Sequence, residues 1–253
     1  MGMDEDVWPP ATASPLADNE AHVWRAWLDQ PASELALLWR TLSTEERARA
    51  ERYRRDRDRA RFVVARGLLR TIVARYLDQD PSALTFRYGS HGKPMLGGDA
   101  PSTLTFNVSH ADGLALFALC QGHDIGVDIE RARAIPDEEL GRLARLSFSR
   151  HELAHFTALP AHLRQDAFFA CWTRKEAVVK ALGYGLSAPL DRVDVSFAPG
   201  EPARVLRIDI DGAGRAATRW TLAALAPAPE YVGALAVPVP GMQAVRRTWA
   251  LLP

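Results

Sequence analysis

Apolar residues recur at helical and at strand spacing, and both spacings occur in each half of the chain. Alternating or continuous apolar runs predict strands at residues 22–28, 84–88, 106–110, 114–120, 193–197, 205–210, 219–225 and 231–237. Helical spacing predicts helices at about residues 31–39, 61–77, 137–146, 149–159 and 163–182. Because helices and strands are mixed in both halves, the pattern predicts the α+β class.

The predicted helix over about residues 163–182 is apolar nearly all round, which indicates burial. Glu176 and Lys180 lie one turn apart on the side that carries Phe169 and Trp172. A solvated Glu–Lys pair would add only about 0.2–0.5 kcal/mol of stability. Charges beside buried aromatic rings instead need a metal, a phosphate or another charge to offset their lost hydration. Both interpretations are open at this point.

Apolar and acidic residues alternate between residues 123 and 130. One face of this predicted strand carries Ile125, Val127 and Ile129, and the other carries Asp124, Asp128 and Glu130. A face that bears only carboxylates is self-repelling unless a cation binds to it. Carboxylate oxygens suit Mg²⁺, which takes a few of them together with phosphate oxygens. The alternative is an ordinary polar strand face.

Ser43 and Glu46 have the spacing of a capping box, which predicts the start of a helix rich in arginine. Its arginines are Arg47, Arg49, Arg52, Arg54, Arg55, Arg57, Arg59 and Arg61. They form either a solvated face or an anion-binding surface. The second interpretation is supported by the absence of lysine before Lys93, because the planar guanidinium fits phosphate oxygens.

Two short polar segments are further candidates for binding. Gly92 and Pro94 flank Lys93 in a predicted turn, where glycine lets the backbone approach a ligand and the ammonium could contact it. His110 ends a predicted strand, a position where a hydrogen-bonded structural histidine is the more common case.

Composition narrows the class of protein. The chain has 253 residues, with 31 Lys plus Arg against 31 Asp plus Glu, so no bulk attraction to nucleic acid or membrane is expected. Cys120 and Cys171 form no spaced framework, which is typical of a reducing cytoplasm. Residues 1–19 are predicted to be a loose extension whose acidic start is unlike a signal peptide. We expect a soluble, cytoplasmic protein.

Five blocks in order along about residues 20–240 resemble the 4′-phosphopantetheinyl transferases of the surfactin-synthetase-activating (Sfp-like) type. They are the arginine-rich helix with Arg61, the turn 92–94, the strand 106–110, the strand 126–130, and the segment 172–180 followed by 183–186. The resemblance implies two similar α+β halves with the active site in the cleft between them. The halves would span residues 20–121 and 122–253.

The resemblance also implies a reaction and its residues. The phosphopantetheine arm of coenzyme A would move to a serine of an apo acyl or peptidyl carrier protein, releasing adenosine 3′,5′-bisphosphate. Asp128, Glu130 and Glu176 would hold Mg²⁺, Glu176 would accept the serine proton directly or through water, and Lys180 would neutralise the pyrophosphate. The expected contacts with coenzyme A are Arg49, Arg61, Lys93 and His110, with Ser109 nearby.

The family pattern has one departure and implies a partner surface. Glu46 stands where relatives can carry a basic residue, so the nucleotide contacts of that helix are expected to differ. An acidic, helical carrier would dock on the second half, where arginines cluster between residues 131 and 150, although the same arginines would also suit a solvated helix face. With both halves in one chain, a monomer is expected.

Residues 151–155 match His-Glu-x-x-His, which on a helix places two imidazoles one turn apart for zinc, with Glu152 as a general base. No third ligand is evident downstream, because His162 lacks the intervening glycine of the longer pattern. A zinc peptidase, a metal-dependent nuclease and an inactive carrier-protein binder are therefore weaker alternatives. The neutral charge disfavours the nuclease, and Asp128, Glu130, Glu176 and Lys180 disfavour the inactive binder.

Overall fold

The computed structural model describes residues 8–10, 15–89, 92–98, 103–185, 188–210 and 217–250. Its helices are α1 (Ala32–Thr41), α2 (Thr44–Glu51), α3 (Asp56–Leu77), α4 (Asp137–Ser147), α5 (Arg150–Ala158) and α6 (Ala161–Leu182). Its strands are β1 (Glu20–Trp27), β2 (Phe86–Tyr88), β3 (Pro94–Leu96), β4 (Leu104–Ala111), β5 (Leu114–Gln121), β6 (Gly126–Arg131), β7 (Val193–Val195), β8 (Val205–Ile208), β9 (Thr221–Ala228), β10 (Tyr231–Val237) and β11 (Gln243–Thr248). The predicted α+β class is confirmed.

Two larger sheets form the centre of the described structure. The first has the order β11-β1-β5-β4 and the second the order β6-β10-β9, while β2–β3 and β7–β8 are separate hairpins. All neighbouring strands are antiparallel except β1 and β11, which are parallel. Strand β11 was not predicted from the sequence. It returns the end of the chain to the sheet of the first half.

The two sheets and two helices of 22 residues pack in four layers. Helix α3 packs on the outer face of the first sheet, and α6 packs on the outer face of the second. A third apolar layer joins the inner faces of the sheets. Strand β5 is buried on both faces, with Phe117 in the α3 layer and Leu116 in the layer between the sheets.

Local capping explains where two of the helices begin. Ser43 and Glu46 form the predicted capping box at α2, and Ser149 and Glu152 form another at α5. The arginine-rich segment, predicted as one helix, is divided by residues 52–55 because the chain is extended at Arg55 and α3 starts afresh with acidic residues in its first turn.

The start of the chain differs from the expected loose extension where it is described. Trp8 is buried, and its Nε1 donates to Ala226 O at 3.1 Å. Thr248 N donates to Pro9 O at 2.7 Å, so residues 8–10 pack beside β11. Residues 90, 91 and 186, which belong to predicted motifs, lie outside the described ranges. Among the residues described, no helix combines the length and hydrophobicity that a membrane crossing requires.

Gly126 sets the spacing between α6 and β6. A Cβ at this position would lie 2.0 Å from Ala177 O and 2.5 Å from Ala181 N, far inside van der Waals contact. Both atoms belong to the helix backbone and cannot rotate away. Only glycine therefore allows the helix to lie this close to the strand.

Gly126→Ala should force α6 away from β6 and lower the free energy of unfolding by about 1–3 kcal/mol or more. Gly141→Ala is the control, because Gly141 lies within α4 and its new Cβ would meet only Arg145 Nη1 at 3.5 Å. The control should be neutral or stabilising by up to about 1 kcal/mol. Urea denaturation measures both variants, and equal stability of Gly126→Ala and wild type would contradict the close packing.

Candidate active site

Three polar side chains from three elements meet where the two sheets join. Lys180 Nζ, on α6, lies 2.5 Å from Asp128 Oδ1, on β6, and donates to Ser109 Oγ, on β4, at 2.9 Å. Ser109 Oγ in turn donates to Asp128 Oδ1 at 2.9 Å. The structure therefore brings together three of the predicted site residues, one from the first half and two from the second.

Two further side chains, Asn107 and Lys93, make hydrogen bonds across the same junction. Asn107 Oδ1, on β4, accepts a hydrogen bond from Val127 N at 2.9 Å. Lys93 Nζ donates to Ile125 O at 3.1 Å and to Lys180 O at 2.9 Å, so its ammonium contacts a carbonyl of the last turn of α6. Burial lowers the pKa of Lys93. Asn107 was not predicted as a site residue, although it lies inside the 106–110 block.

The carboxylates of the site are crowded. Burial raises the pKa of Asp128, against the opposing effect of Lys180. Burial and the charge of Asp128 raise the pKa of Glu130. Glu176 is buried, and its pKa is raised to about 7 by burial and by the charges of Asp128 and Glu130. One ammonium thus faces three acidic groups that disfavour one another's ionisation.

A divalent cation is compatible with this arrangement, although its ligands are not assembled. Asp128 Oδ2 is buried and has no hydrogen-bond partner among the described residues, so it is available as a ligand. No three His, Cys, Asp or Glu side chains within the described ranges are grouped closely enough to hold a metal. The metal site of Asp128, Glu130 and Glu176 therefore stays a prediction.

Cavities flank the cluster on two sides. One of about 340 Å³ is lined by aromatic and charged residues, including His110, Glu130, Arg133, Phe169 and Trp172. Another of about 190 Å³ is lined by residues that include Lys93, Asn107, Glu176, Lys180 and Gly183. Side chains of both halves line each cavity, so a ligand in either would contact both halves.

Arg61 is already paired in this structure. Its Nε and Nη2 donate to the two carboxylate oxygens of Asp29 at 2.7 and 2.6 Å, and its Nη1 donates to Asp112 O at 2.6 Å. It lines a cavity of about 270 Å³ with His110 and Tyr53. Loss of hydration lowers the pKa of His110, and the positive charges of Lys180 and Arg61 add to the effect.

Arg49 lies at a different cavity, of about 500 Å³, which Arg52 and Arg66 also line. Its guanidinium is 5.2 Å from the ring centroid of Phe62, and Phe62 lines the Arg61 cavity. The predicted coenzyme A contacts are therefore distributed over adjoining cavities instead of one.

Glu46, the departure from the family pattern, is a buried ion-pair partner. It accepts from Arg66, from Arg70 Nε at 2.6 Å and from Ser43 N at 2.9 Å. Burial opposes ionisation, but these hydrogen bonds and the charge of Arg66 lower the pKa of Glu46 overall. The sequence predicted only the capping role of Glu46, because Arg66 and Arg70 lie 20 and 24 residues further along the chain.

Glu152, the expected base of the zinc motif, is buried inside the fold. Its carboxylate accepts from Ser149 N and Val195 N, each at 2.9 Å, and from Lys175 Nζ. The Lys175 ammonium is fully buried, so the pair fastens α5 to α6. With its oxygens engaged in this way, Glu152 is a structural residue and not the base of a peptidase.

Lys175→Met should remove the partner of a buried carboxylate and lower the free energy of unfolding by about 3–5 kcal/mol. Lys175→Met combined with Glu152→Gln should recover most of the loss, because no buried charge remains and Gln keeps an acceptor for Val195 N. Urea denaturation of the four proteins gives the coupling energy. Additive losses in the double variant would contradict the buried ion pair.

Glu176→Gln should stabilise the metal-free protein much more at pH 8 than at pH 5. The pKa of Glu176 is raised from 4.5 to about 7 on folding. Below pH 4.5 the side chain is protonated in both states and does not reduce the stability of the wild type. The wild type then loses stability as the pH rises from 4.5 to 7. At about 1.4 kcal/mol per pH unit, the loss that Gln avoids is at most about 3 kcal/mol. A difference between wild type and variant that is the same at both pH values would contradict the shift.

Comparisons with known proteins agree with the resemblance. Residues 25–121 match a family described as 4′-phosphopantetheinyl transferase, N-terminal, and residues 124–236 match the 4′-phosphopantetheinyl transferase superfamily. The chain is 39% identical to the 4′-phosphopantetheinyl transferase HetI of Nostoc sp., over 93% of this chain and 95% of HetI. It is 32% identical to the phosphopantetheinyl transferase of Thraustochytrium sp., over 81% of this chain and 72% of that protein. It is 30% identical to the 4′-phosphopantetheinyl transferase Sfp of Bacillus subtilis, over 68% of this chain and 75% of Sfp. The chain therefore belongs to the 4′-phosphopantetheinyl transferase superfamily, as an enzyme of the Sfp type.

Proposed function

We propose that this enzyme transfers the 4′-phosphopantetheine arm of coenzyme A to a serine hydroxyl of an apo acyl or peptidyl carrier protein and releases adenosine 3′,5′-bisphosphate. The observation that carries the proposal is the cluster of Asp128, Ser109 and Lys180 at the junction of the halves, with Glu176 in the adjoining cavity. An ammonium beside several carboxylates suits phosphoryl transfer, in which the protein mainly positions groups and stabilises charge.

Glu176 is the proposed proton acceptor. In the reaction, the serine oxygen forms a bond to the phosphorus that carries pantetheine, and the bond from that phosphorus to the nucleotide's phosphate oxygen breaks. The serine proton passes to Glu176, directly or through water. A carboxyl whose pKa is about 7 is well matched to this task near neutral pH, because it is ionised in part and basic enough to accept a proton.

Lys180, and a metal ion held by the carboxylates, would offset the negative charge of the leaving group. Lys180 Nζ stands at the cluster and would neutralise charge on the pyrophosphate and on the departing oxygen. Asp128, Glu130 and Glu176 would hold Mg²⁺, which when bound offsets the negative charge of the pyrophosphate. The unpartnered Asp128 Oδ2 and the raised pKa values of Glu130 and Glu176 support this assignment.

The first half would bind the nucleotide. Lys93 lines a cavity beside the cluster, and Arg61 and His110 line another cavity of the first half. Arg49 lies at a further cavity, and Ser109 belongs to the cluster itself. Arg61 holds Asp29 and Lys93 holds two carbonyls, so phosphate binding requires each to share or exchange its present partners. The Asp29 carboxylate and the carbonyl oxygens each carry less negative charge than a phosphate with more than one charge. A phosphate can therefore compete with them for the same hydrogen-bond donors.

The carrier protein would dock on the second half. The exposed arginines between residues 131 and 150 are Arg131, Arg133, Arg142, Arg145 and Arg150. Leu146 is exposed among them, and Leu143 lines the cavity that contains Glu130. Basic and apolar groups in one surface suit an acidic, helical partner. Because one chain supplies both halves of the site, a monomer is sufficient.

Intact mass spectrometry tests the proposed reaction. Apo carriers of fatty-acid, polyketide and nonribosomal-peptide type are each incubated with the enzyme, coenzyme A and Mg²⁺. At least one carrier should gain the mass of phosphopantetheine, with adenosine 3′,5′-bisphosphate released in equal amount. EDTA should stop the gain, and Mg²⁺ added back to metal-free enzyme should restore it. Folded enzyme that binds coenzyme A but modifies no carrier would contradict the proposal.

Glu176→Gln should reduce the transfer rate by at least about a hundredfold, since general acid–base catalysis contributes about 10²–10⁴-fold. Glu201→Gln, at an exposed residue between β7 and β8 and outside the proposed docking surface, is the matched control and should retain the wild-type rate. Circular dichroism establishes that both variants are folded. A wild-type rate for folded Glu176→Gln would exclude Glu176 as base and as metal ligand.

A further inference from the structure

We propose that His151 and His155 form a two-imidazole site for a late first-row divalent ion, Cu²⁺, Ni²⁺ or Zn²⁺, on the outer face of α5. The two histidines lie one helical turn apart, and both side chains are exposed. Their ring centroids are 4.4 Å apart, with the ring planes at 58°. Neither histidine is among the residues proposed for the transfer reaction.

The ring separation matches that of two imidazoles bound to one metal. A metal–nitrogen bond of about 2.0–2.1 Å places the metal about 3.2 Å from each centroid, so ligands at a right angle have centroids about 4.5 Å apart and tetrahedral ligands about 5.2 Å apart. The observed 4.4 Å is close to the right-angle value. Rotation of either exposed side chain covers the difference between the two values, so Cu²⁺, Ni²⁺ and Zn²⁺ all suit the pair.

The helix presents both rings on a fixed backbone. Ser149 and Glu152 close a capping box at the start of α5, and Glu152 is also bonded to Lys175 on α6. A chelate on an anchored helix loses little backbone freedom when the metal binds, unlike one on a loop.

Because Glu152 is anchored in the interior, a metal bound by the two histidines would lack the general base that peptide hydrolysis needs. Glu152 faces the interior while the two histidines face solvent, so it cannot activate a metal-bound water. Among the described residues, no third His, Cys, Asp or Glu completes the group, and water would occupy the other positions. Imidazole is a poor ligand for Mg²⁺, so Mg²⁺ would not compete for the histidine pair.

Equilibrium dialysis with Cu²⁺ tests the site. Bound metal is first removed from the tag-free protein. The protein is then dialysed against Cu²⁺ at low micromolar concentration, and bound copper is measured by elemental mass spectrometry. Wild type should retain copper, and His151→Ala and His155→Ala should each lose most of it. His162→Ala is the control, because His162 is also exposed but stands alone at the start of α6, and it should bind as wild type does.

Absence of copper from wild type would overturn the proposal, as would full binding by both variants. Loss in only one variant would also overturn it, because a two-ligand site requires both rings. The readout is bound metal and not transfer, so failure of the proposed reaction and failure of this site are distinguishable. EDTA removes metal from both sites, so the ion added back shows which site matters for transfer. Mg²⁺ should restore transfer, and Cu²⁺ alone should not.

Discussion

The close packing of α6 against β6 at Gly126 determines where the charged groups of the site lie. Ala177 and Ala181 contact the strand through backbone atoms, with no side chain between them. Asp128 lies two residues along β6 on the same face, and at this spacing its short side chain reaches Lys180 Nζ. A Cβ at residue 126 would separate the two elements and leave a carboxylate and an ammonium without their partner.

The junction between the sheets gives this charged pair its surroundings. Ser109 and Asn107 extend from β4 to Asp128 and to the backbone of β6, and Lys93 extends from the β2–β3 hairpin to the end of α6. The first half therefore contacts the strand and the helix that carry the acidic residues. A substrate that spans the junction would meet cations from the first half and carboxylates from the second.

Local features of the fold were predictable from the sequence, whereas most partners of the site residues were not. The capping box at Ser43 and the end of α6 at Gly183 depend on residues within one or two turns, so spacing alone revealed them. Strand β11 escaped prediction because it is defined by pairing with β1, more than 200 residues earlier. The partner of Arg61 is likewise remote, since Asp29 lies 32 residues away.

The candidate residues themselves were predictable because their chemistry is concentrated in short blocks. Alternation placed Asp128 and Glu130 on one face of a strand, and helical spacing placed Glu176 and Lys180 on one side of a helix. What spacing could not give is how far each group is desolvated. The pKa of Glu176 near 7 depends first on burial and then on the charge of Asp128, and both follow from the close packing of α6 against β6 at Gly126.

Charge balance explains why such a site needs cations from outside its own cluster. Lys180 offsets one of three carboxyl groups, and Asp128 Oδ2 is left without a partner in the described structure. The raised pKa values of Glu130 and Glu176 show that burial and the neighbouring carboxylates disfavour the ionised forms of both side chains. A pyrophosphate bound at this site would add negative charge where ionisation of the carboxyl groups is already disfavoured. Cations from the first half, together with any divalent cation that Asp128, Glu130 and Glu176 hold as proposed, would offset this added charge.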